Sequence, residues 1–376
     1  MPLAPYAMDV GRSRGRRHSE RPHRYRNDYA RDRDRVIHSR AFRRLEAKTQ
    51  VFTTRYSDHF RNRLTHTLEV AQIARTVAGA LCLNTDLAEA LALAHDIGHP
   101  PFGHAGEKKL AALMSEHGQT FEHNLQALRI VEKFEQRYIE FAGLNLTFEV
   151  REGIVKHSRD YPAAEFPELA EYLLDQKPPV EAQLIDLVDE IAYNTADLDD
   201  AFEARLLDFD QLRAEVPIFD AAYAEVDRRH PQGRSKLKFN EALKNVLDLL
   251  ATDLIERTLE RIQTSGAQTV EDVRSAPERL AAFSADMARQ NRALKTFLLG
   301  RVYSLPAIAD DRDRSVAALE ELFRFFLAHP GRMPRPYAEQ SESEPPHRVI
   351  CDYIAGMTDQ FLLRQWRELL GLERVL

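Results

Sequence analysis

The chain has 376 residues, of which 44% are hydrophobic and 30% charged, and its formal net charge is −7 at pH 7. This composition is typical of a globular protein with one large domain or two, and it argues against a dedicated DNA-binding module. No apolar run approaches the ~18 residues of a membrane span, and the arginine-rich start lacks an apolar signal segment, so we expect a cytoplasmic protein. The two cysteines, Cys82 and Cys351, favour reduced buried thiols over a disulfide framework.

The first part of the chain is unusually rich in arginine. The run from Arg12 to Arg35 is interrupted by Asp28, Asp32 and Asp34, a pattern that is compatible with a solvated, partly disordered arm. The same cations would serve phosphate binding, although no glycine-rich loop of the Walker type is present. A short extended piece is expected at Lys48–Thr53.

Apolar residues recur at helical spacing through most of the remaining chain. The predicted helices are Thr67–Leu83, Asp86–Asp96, Gly106–Ser115, Phe121–Phe141, Phe148–Ser158, Val180–Glu203, Asn240–Ser265, Pro277–Leu299 and Ser315–Phe326. Loops are expected at Arg159–Pro167, Lys177–Pro179 and His230–Ser235. Asn145–Val150 is a modest strand candidate that equally suits the start of a helix. We therefore predict an all-α fold with additional C-terminal helices.

The end of the chain is predicted to be a helical hairpin, Arg348–Glu373, joined to the body by a flexible link at Glu339–Pro346. The predicted organisation is a basic arm and substrate-binding segment over residues 1–62, a core over 63–207 and a helical C-terminal region over 208–376. The pattern allows the last two to pack as one unit. The motif Asp352–Asp359 suits either assembly or the packing of the terminal helices on the core.

The segment from His95 to Glu107 is the densest group of chemically active side chains, since it holds three imidazoles and two carboxylates. His95 and Asp96 are predicted in the last turn of a helix, where both groups can turn toward one divalent cation. His104 and Glu107 are three residues apart, a spacing at which a carboxylate can hold a histidine in one tautomer and raise its basicity. The segment therefore indicates a metal ligand pair followed by an acid–base pair.

Two other predicted helices supply further candidates. His66 lies on an amphipathic run, and Asp189, Tyr193 and Asp197 fall at i, i+4 and i+8 and so share one helix face. Taken singly, a histidine on an apolar helix is more often structural than a ligand, and a tyrosine is more often a core-edge aromatic. Their combination with the segment from His95 to Glu107 favours a site.

Several motifs in one order make the chain resemble the HD-domain deoxynucleoside triphosphate triphosphohydrolases. The resemblance covers most of the chain, and it is carried by Ser13–Arg16, Arg31–Ser39, Ala41–Leu45, Lys48–Phe52, Arg63–His66, His95–Glu107, Asp189–Asp197 and Asp352–Asp359. It implies an HD-domain helical bundle as the core.

The resemblance also implies roles for single residues. The positions that match the family's ligands for a divalent metal ion (Mn, Mg, Co, Ni, Fe or Zn) are His66, His95, Asp96 and Asp189. The positions that match its catalytic pair and phosphate path are His104 with Glu107, and His99 with His123.

Substrate contacts are implied as well, at Arg44, Gln50, Arg63, Tyr193 and Asp197. Tyr193 would pack beneath C2′ and leave no room for a 2′-hydroxyl, and Asp197 would bind the 3′-hydroxyl. One vertebrate relative has a lysine after its last metal aspartate where this chain has Glu190, so the triphosphate contacts are expected to differ.

The activity implied by the resemblance is hydrolysis at the α-phosphorus of a dNTP, with dGTP as the first substrate to try, which yields a deoxynucleoside and tripolyphosphate. A homo-oligomer, commonly a hexamer, is implied, together with an effector dNTP at a subunit interface and, in some members, single-stranded DNA binding. The alternatives are another HD phosphohydrolase, such as a nucleotide phosphodiesterase or 5′-nucleotidase, and a catalytically idle nucleotide sensor or nucleic-acid-binding protein.

Overall fold

The computed structural model describes residues 2–50 and 60–371. The helices in these ranges are α1 (Asp28–Ile37), α2 (Arg40–Arg44), α3 (Arg63–Ala80), α4 (Thr85–Ala94), α5 (Gly103–Ser115), α6 (His123–Arg129), α7 (Phe148–Val155), α8 (Val180–Glu203), α9 (Phe209–Glu215), α10 (Pro217–Arg229), α11 (Ser235–Ser265), α12 (Val270–Ser275), α13 (Ala285–Phe297), α14 (Pro306–Ala328), α15 (Arg335–Gln340), α16 (Pro346–Ala355) and α17 (Asp359–Leu370). The same ranges contain isolated β-bridges but no β strand. The all-α prediction is confirmed, and no described helix is long and apolar enough to cross a membrane.

Most predicted helices are present, with shifted ends. The predicted helix Phe121–Phe141 is shorter, because α6 gives way to a π-helical turn at Ile130–Phe134 and the backbone becomes extended at Glu135. The strand candidate at 145–150 is the start of a helix, since α7 begins at Phe148. The expected extended piece at 48–53 lies partly outside the described residues, and within them Thr49 forms an isolated bridge with Asn62.

The chain divides into two compact units. Unit 1 comprises residues 2–36, His66–Leu93 and Leu146–Leu305, and thus α1, α7 to α13 and most of α3 and α4. Its core includes stacked rings, with the centroids of Phe202 and Phe239 3.9 Å apart. Gly153 on α7 meets α4 closely, because a Cβ there would lie 2.1 Å from a methyl group of Leu91.

The helical end of the basic N-terminal segment, α1, is packed into unit 1. Asp32 on α1 is buried and accepts hydrogen bonds from the backbone N–H and the hydroxyl of Thr147, at 2.8 and 2.6 Å, and it forms an ion pair with Arg16. Burial raises the pKa of Asp32 even though Arg16 and Thr147 favour its charged form. Tyr29 and Val36 are also buried, so α1 is packed and is not part of a solvated arm, whereas residues 21–27 before it are exposed.

Unit 2 comprises residues 37–50, 60–65, Ala94–Asn145 and 306–371, and thus α2, α5, α6, α14 to α17 and the first turn of α3. Its core forms where apolar side chains of α5, α14 and α16 meet, among them Leu110, Leu319, Phe323 and Ile350. Burial of such side chains stabilises the fold by ~1.5–3 kcal/mol each.

The motif Asp352–Asp359 packs the terminal helices onto the rest of unit 2. Asp352 forms an ion pair with Arg129 on α6. Asp359, the first residue of α17, accepts hydrogen bonds from the backbone N–H groups of Thr49 and Phe102, at 2.8 and 3.1 Å. The packing interpretation of this motif is thus supported, and its role in assembly stays a prediction.

Candidate metal and catalytic site

The loop between α4 and α5 carries the densest group of candidate residues, and its backbone is unusual. Phe102 has φ +63° and Gly103 has φ +57°, both in the left-handed region. A Cβ at Gly103 would lie 2.7 Å from Nη2 of Arg63, and one at Gly98 would lie 2.0 Å from the carbonyl oxygen of His123. The two glycines therefore allow the loop to approach Arg63 and α6 closely, and Asp359 holds the strained Phe102 by its N–H.

Asp96 lies at the centre of the buried charges of this loop. Its Oδ2 accepts a hydrogen bond from Nη1 of Arg63 at 2.7 Å, while Oδ1 lies 3.4 Å from Nε2 of His95 and 3.0 Å from Nδ1 of His99. Burial alone would raise the pKa of Asp96, but Arg63, His95 and His99 outweigh it and hold the pKa well below its usual value. Asp96 is therefore a carboxylate, and its donor atoms together with an adjacent imidazole suit a divalent cation.

His66 and Asp189 form a second pair, inside unit 1. Nε2 of His66, on α3, lies 2.8 Å from Oδ1 of Asp189, on α8. His66 is almost fully buried, whereas Asp189 is partly exposed. An imidazole held against a carboxylate is again a donor set that divalent metals accept, so both pairs fit the predicted ligand chemistry.

Glu107 connects two histidines on one side of α5. Its Oε1 accepts the backbone N–H of His123 at 2.8 Å and lies 2.8 Å from Nδ1 of the same residue, and its Oε2 lies 3.4 Å from Nδ1 of His104. Burial alone would raise the pKa of Glu107, but the bonds to the two imidazoles hold it far below its usual value. Because the carboxylate only accepts, both imidazoles donate from Nδ1, which leaves Nε2 of each for proton transfer.

His99 lies between this group and Asp96. It is buried, and burial together with the positive charges of Arg63 and His123 lowers its pKa well below the usual value, so the ring is neutral. The donor atoms of His99, Glu107 and His123 are close enough for a metal ion. However, the rings of His99 and His123 pack against each other at a tilt, with centroids 4.0 Å apart and planes 30° apart. Imidazoles bind metals through lone pairs in the ring plane, so this arrangement favours hydrogen bonding over a shared ion.

The predicted face of α8 is present in unit 1. Asp197 accepts a hydrogen bond from the hydroxyl of Tyr303, which follows the π-helical turn Leu298–Val302. The ammonium of Lys295 lies 5.5 Å from the ring centroid of Tyr193 and 3.3 Å from Glu190. Neither Tyr303 nor Lys295 was predicted, because nothing in their local sequence indicates that α13 packs beside α8.

The predicted substrate-binding residues of unit 2 are placed differently from one another. Arg63 is buried and paired with Asp96. The backbone oxygen of Gln50 would lie 3.5 Å from a Cβ at Gly103, which places Gln50 beside the loop. Arg44 instead donates to the carbonyl oxygen of Gly356 at 2.9 Å, near the C-terminal helices. Phosphate contacts by these three residues stay predictions.

Comparison with known families defines the class of this protein. An HD domain model matches residues 63–194, and a phosphohydrolase-associated domain model matches residues 281–368. The HD match contains the four predicted metal ligands, the predicted catalytic pair and Tyr193, while Asp197 lies three residues beyond its end. The chain therefore contains an HD domain, the all-helical domain of the HD phosphohydrolases.

Relatives that align over nearly the whole chain identify its family more specifically. The chain is 47% identical over 374 residues to a protein of Thiobacillus denitrificans, covering 99% of this chain and 98% of the relative. It is 47% identical over 371 residues to a protein of Bordetella pertussis, covering 98% of this chain and 96% of the relative. It is 45% identical over 378 residues to a protein of Paracoccus denitrificans, covering 98% of this chain and 100% of the relative. Each is named a deoxyguanosinetriphosphate triphosphohydrolase-like protein, and the present chain belongs to that family.

Proposed function

We propose that the protein hydrolyses deoxynucleoside triphosphates, dGTP among them, to a deoxynucleoside and tripolyphosphate in a metal-dependent reaction. The observation that carries this proposal is the arrangement around Glu107, where one ionised carboxylate holds His104 and His123. A minimal HD metal site needs neither histidine. Membership of the deoxyguanosinetriphosphate triphosphohydrolase-like family supports the same reaction.

The metal ion is proposed to bind His66, His95, Asp96 and Asp189. Bound there, a divalent ion would polarise the phosphoryl oxygen and lower the pKa of a coordinated water. The chain's own contribution is to fix the ligands, because Arg63 occupies one oxygen of Asp96 and turns the other toward His95. In this role Arg63 orients a ligand through a buried ion pair.

Proton transfer is proposed to depend on Glu107 and its histidines. Water forms a bond to the α-phosphorus while the bond from that phosphorus to O5′ breaks, and the leaving oxygen needs a proton. With Nδ1 directed at Glu107, the Nε2 atom of His104 is available to donate it. His104 is 82% exposed and its contact with Glu107 is long, so binding of substrate would tighten the pair. His99, held neutral by burial, and His123 are proposed to line the phosphate path.

Sugar selection is proposed for unit 1. The ring of Tyr193 would lie beneath C2′, where a 2′-hydroxyl would meet it, and Asp197 would accept the 3′-hydroxyl. The hydroxyl of Tyr303 already donates to Asp197 and so fixes the orientation of its carboxylate. The ammonium of Lys295 pairs with Glu190, the acidic residue that follows Asp189, and so places a cation beside the ring of Tyr193.

Product analysis tests the proposal. Purified protein with Mn or Mg is incubated with each dNTP singly, with all four together and with GTP, and the products are separated by anion exchange. Tripolyphosphate with a deoxynucleoside, lost in His95→Ala and His104→Ala variants, is the expected result. Pyrophosphate with a monophosphate, or turnover of a monophosphate substrate alone, would replace this proposal by another HD phosphohydrolase activity. The mixture of all four dNTPs is included because an effector dNTP and an oligomer, commonly a hexamer in this family, are part of the prediction.

A further inference from the structure

Unit 2 contains a pocket of about 340 Å³ between α2, α15, α16 and α17. Its lining includes the guanidinium groups of Arg44 and Arg364, the rings of Tyr337, Tyr353 and Phe361, and Thr358. None of the histidines or carboxylates of the candidate catalytic group contributes to this lining. The pocket lies in the size range of small-molecule sites.

Both arginines of the pocket are cations without a carboxylate partner in the described part of the chain. Arg44 is half-buried, and its hydrogen bond is to a neutral acceptor, the carbonyl oxygen of Gly356. Glu135 is the nearby acid, but its Oε1 accepts the backbone N–H of Ala41 at 2.8 Å. Burial lowers the pKa of Arg44, with Arg40 and Arg43 acting in the same direction against Glu135 and Tyr337. Glu135 therefore offsets part of the positive charge of Arg44, and an anion placed in the pocket would offset more of it.

Arg364 faces the pocket from α17 without a strong anchor. It is exposed, and its guanidinium carbon lies 5.2 Å from the ring centroid of Phe361. Thr358 caps the same helix by accepting the N–H of Phe361, so the positive end of the α17 dipole lies at the pocket. The N–H groups of a planar guanidinium match the oxygens of a phosphate group in geometry and charge.

A polar group with no partner is also present at the pocket. Tyr353 is 7% exposed, and its hydroxyl, which is fully buried, has no hydrogen-bond partner among the residues that the structure describes. Its ring packs against that of Tyr337, with centroids 4.6 Å apart and planes 40° apart. A buried hydroxyl without a partner costs free energy, which an acceptor oxygen brought in by a ligand would recover.

We propose that this pocket is a second anion site, which binds the phosphate group of a small ligand between Arg44 and Arg364. Free phosphate or tripolyphosphate and a nucleotide share this chemistry, and the partly exposed ring of Tyr337 offers a stacking surface only to the nucleotide. The lining contains none of the histidines or carboxylates of the candidate catalytic group, and the site does not depend on the proposed hydrolysis. Its Arg44 is a residue that the resemblance assigns to substrate contact, and this proposal assigns that arginine to the second site instead.

Calorimetric titration of the full-length protein tests the site, with inorganic phosphate, tripolyphosphate, deoxyadenosine monophosphate and deoxyadenosine as probes. Arg364→Glu is compared with Arg367→Glu, which makes the same charge change at an exposed residue of α17 that does not line the pocket. We expect phosphate-bearing probes to lose a binding event, or to weaken by about tenfold or more, in Arg364→Glu alone, since a charge-assisted hydrogen bond is worth ~1.5–3 kcal/mol. Deoxyadenosine should not bind at this site.

The different probes distinguish a free polyphosphate from a nucleotide as the ligand of the pocket. Tripolyphosphate binding that equals or exceeds monophosphate binding, and that is unaffected by Tyr337→Ala, identifies a free polyphosphate. Tighter binding of deoxyadenosine monophosphate that falls in Tyr337→Ala identifies a nucleotide. Equal effects of the two arginine variants, no effect of Arg364→Glu, or no saturable binding of any phosphate-bearing probe would overturn the proposal. Tripolyphosphate and deoxyadenosine are also products of the proposed hydrolysis and can bind at the catalytic group, so only binding that Arg364→Glu removes and Arg367→Glu keeps is assigned to this pocket.

Discussion

Gly98→Ala is the sharpest test of how the loop after α4 positions the histidines proposed to be catalytic. A Cβ at residue 98 would lie 2.0 Å from the carbonyl oxygen of His123 and 2.4 Å from the backbone nitrogen of Ala127, whereas ordinary contact begins at 3.4 Å. The obstructing atoms are backbone, so rotation of a side chain cannot relieve the overlap. Either the loop or the start of α6 must move by roughly 1.4 Å, and Nδ1 of His123 would move away from Glu107.

Two effects of this displacement are expected. Overpacking costs ~1–3 kcal/mol of unfolding free energy, and contact with backbone places Gly98→Ala at the upper end. A displacement of ~1 Å near a reacting group costs about 100-fold in rate, so kcat for dNTP hydrolysis should fall by that order. Gly331→Ala is the matched control, because a Cβ there would meet nothing within 4 Å.

Urea denaturation and steady-state kinetics at saturating metal measure the two effects. The stability measurement stands even if the substrate is not a dNTP. A Gly98→Ala protein whose unfolding free energy stays within ~0.5 kcal/mol of the wild type, with kcat unchanged, would refute the described approach of the loop to α6.

Three further predictions concern single side chains. Glu107→Gln should lower kcat by ~100-fold or more while metal content by elemental analysis stays constant, because an amide cannot hold both imidazoles as donors; loss of the metal would contradict this. Tyr193→Leu should raise the turnover of GTP relative to dGTP, and an unchanged ratio would count against a sugar gate. Burial lowers the pKa of Lys48 to about 7 from 10.5, with Arg44 acting in the same direction. The stability of Lys48→Met relative to the wild type should therefore increase as pH falls from 10.5 to 7, by up to ~1.4 kcal/mol per pH unit, and then stay constant; a flat difference in denaturation experiments between pH 7 and 9.5 would exclude this.

The sequence predicted the parts of the fold that depend on local periodicity. The bounds of α8 were predicted as observed, Val180–Glu203, because its apolar stripe is uninterrupted, and helical spacing then placed Asp189, Tyr193 and Asp197 on one face. The all-α class follows from the same signal, repeated along the chain. His104 and Glu107 could be paired from their spacing alone, since residues three apart on a helix are neighbours.

Features that depend on distant contacts could not be predicted. The pairing of Tyr303 with Asp197 joins residues 106 apart, and that of Asp359 with Thr49 joins residues 310 apart. The early end of α6 likewise reflects a tertiary constraint, because the Glu135 carboxylate is held by the N–H of Ala41. Periodicity carries no information on such contacts, so the predicted helix continued past the point where the chain turns.

The carboxylates of Asp96 and Glu107 are kept ionised by different kinds of neighbour, and this difference fits the separate roles proposed for them. Asp96 is paired with Arg63, a cation that does not titrate, so its charge is constant and suits a structural partner of a metal ion. Glu107 is held by the imidazoles of His104 and His123, which contact it through Nδ1. The proton transfer proposed for His104 would take place beside Glu107, and the pair formed by Arg63 and Asp96 does not include either residue. Proton transfer can therefore take place at α5 while the proposed metal ligands keep their charge and geometry.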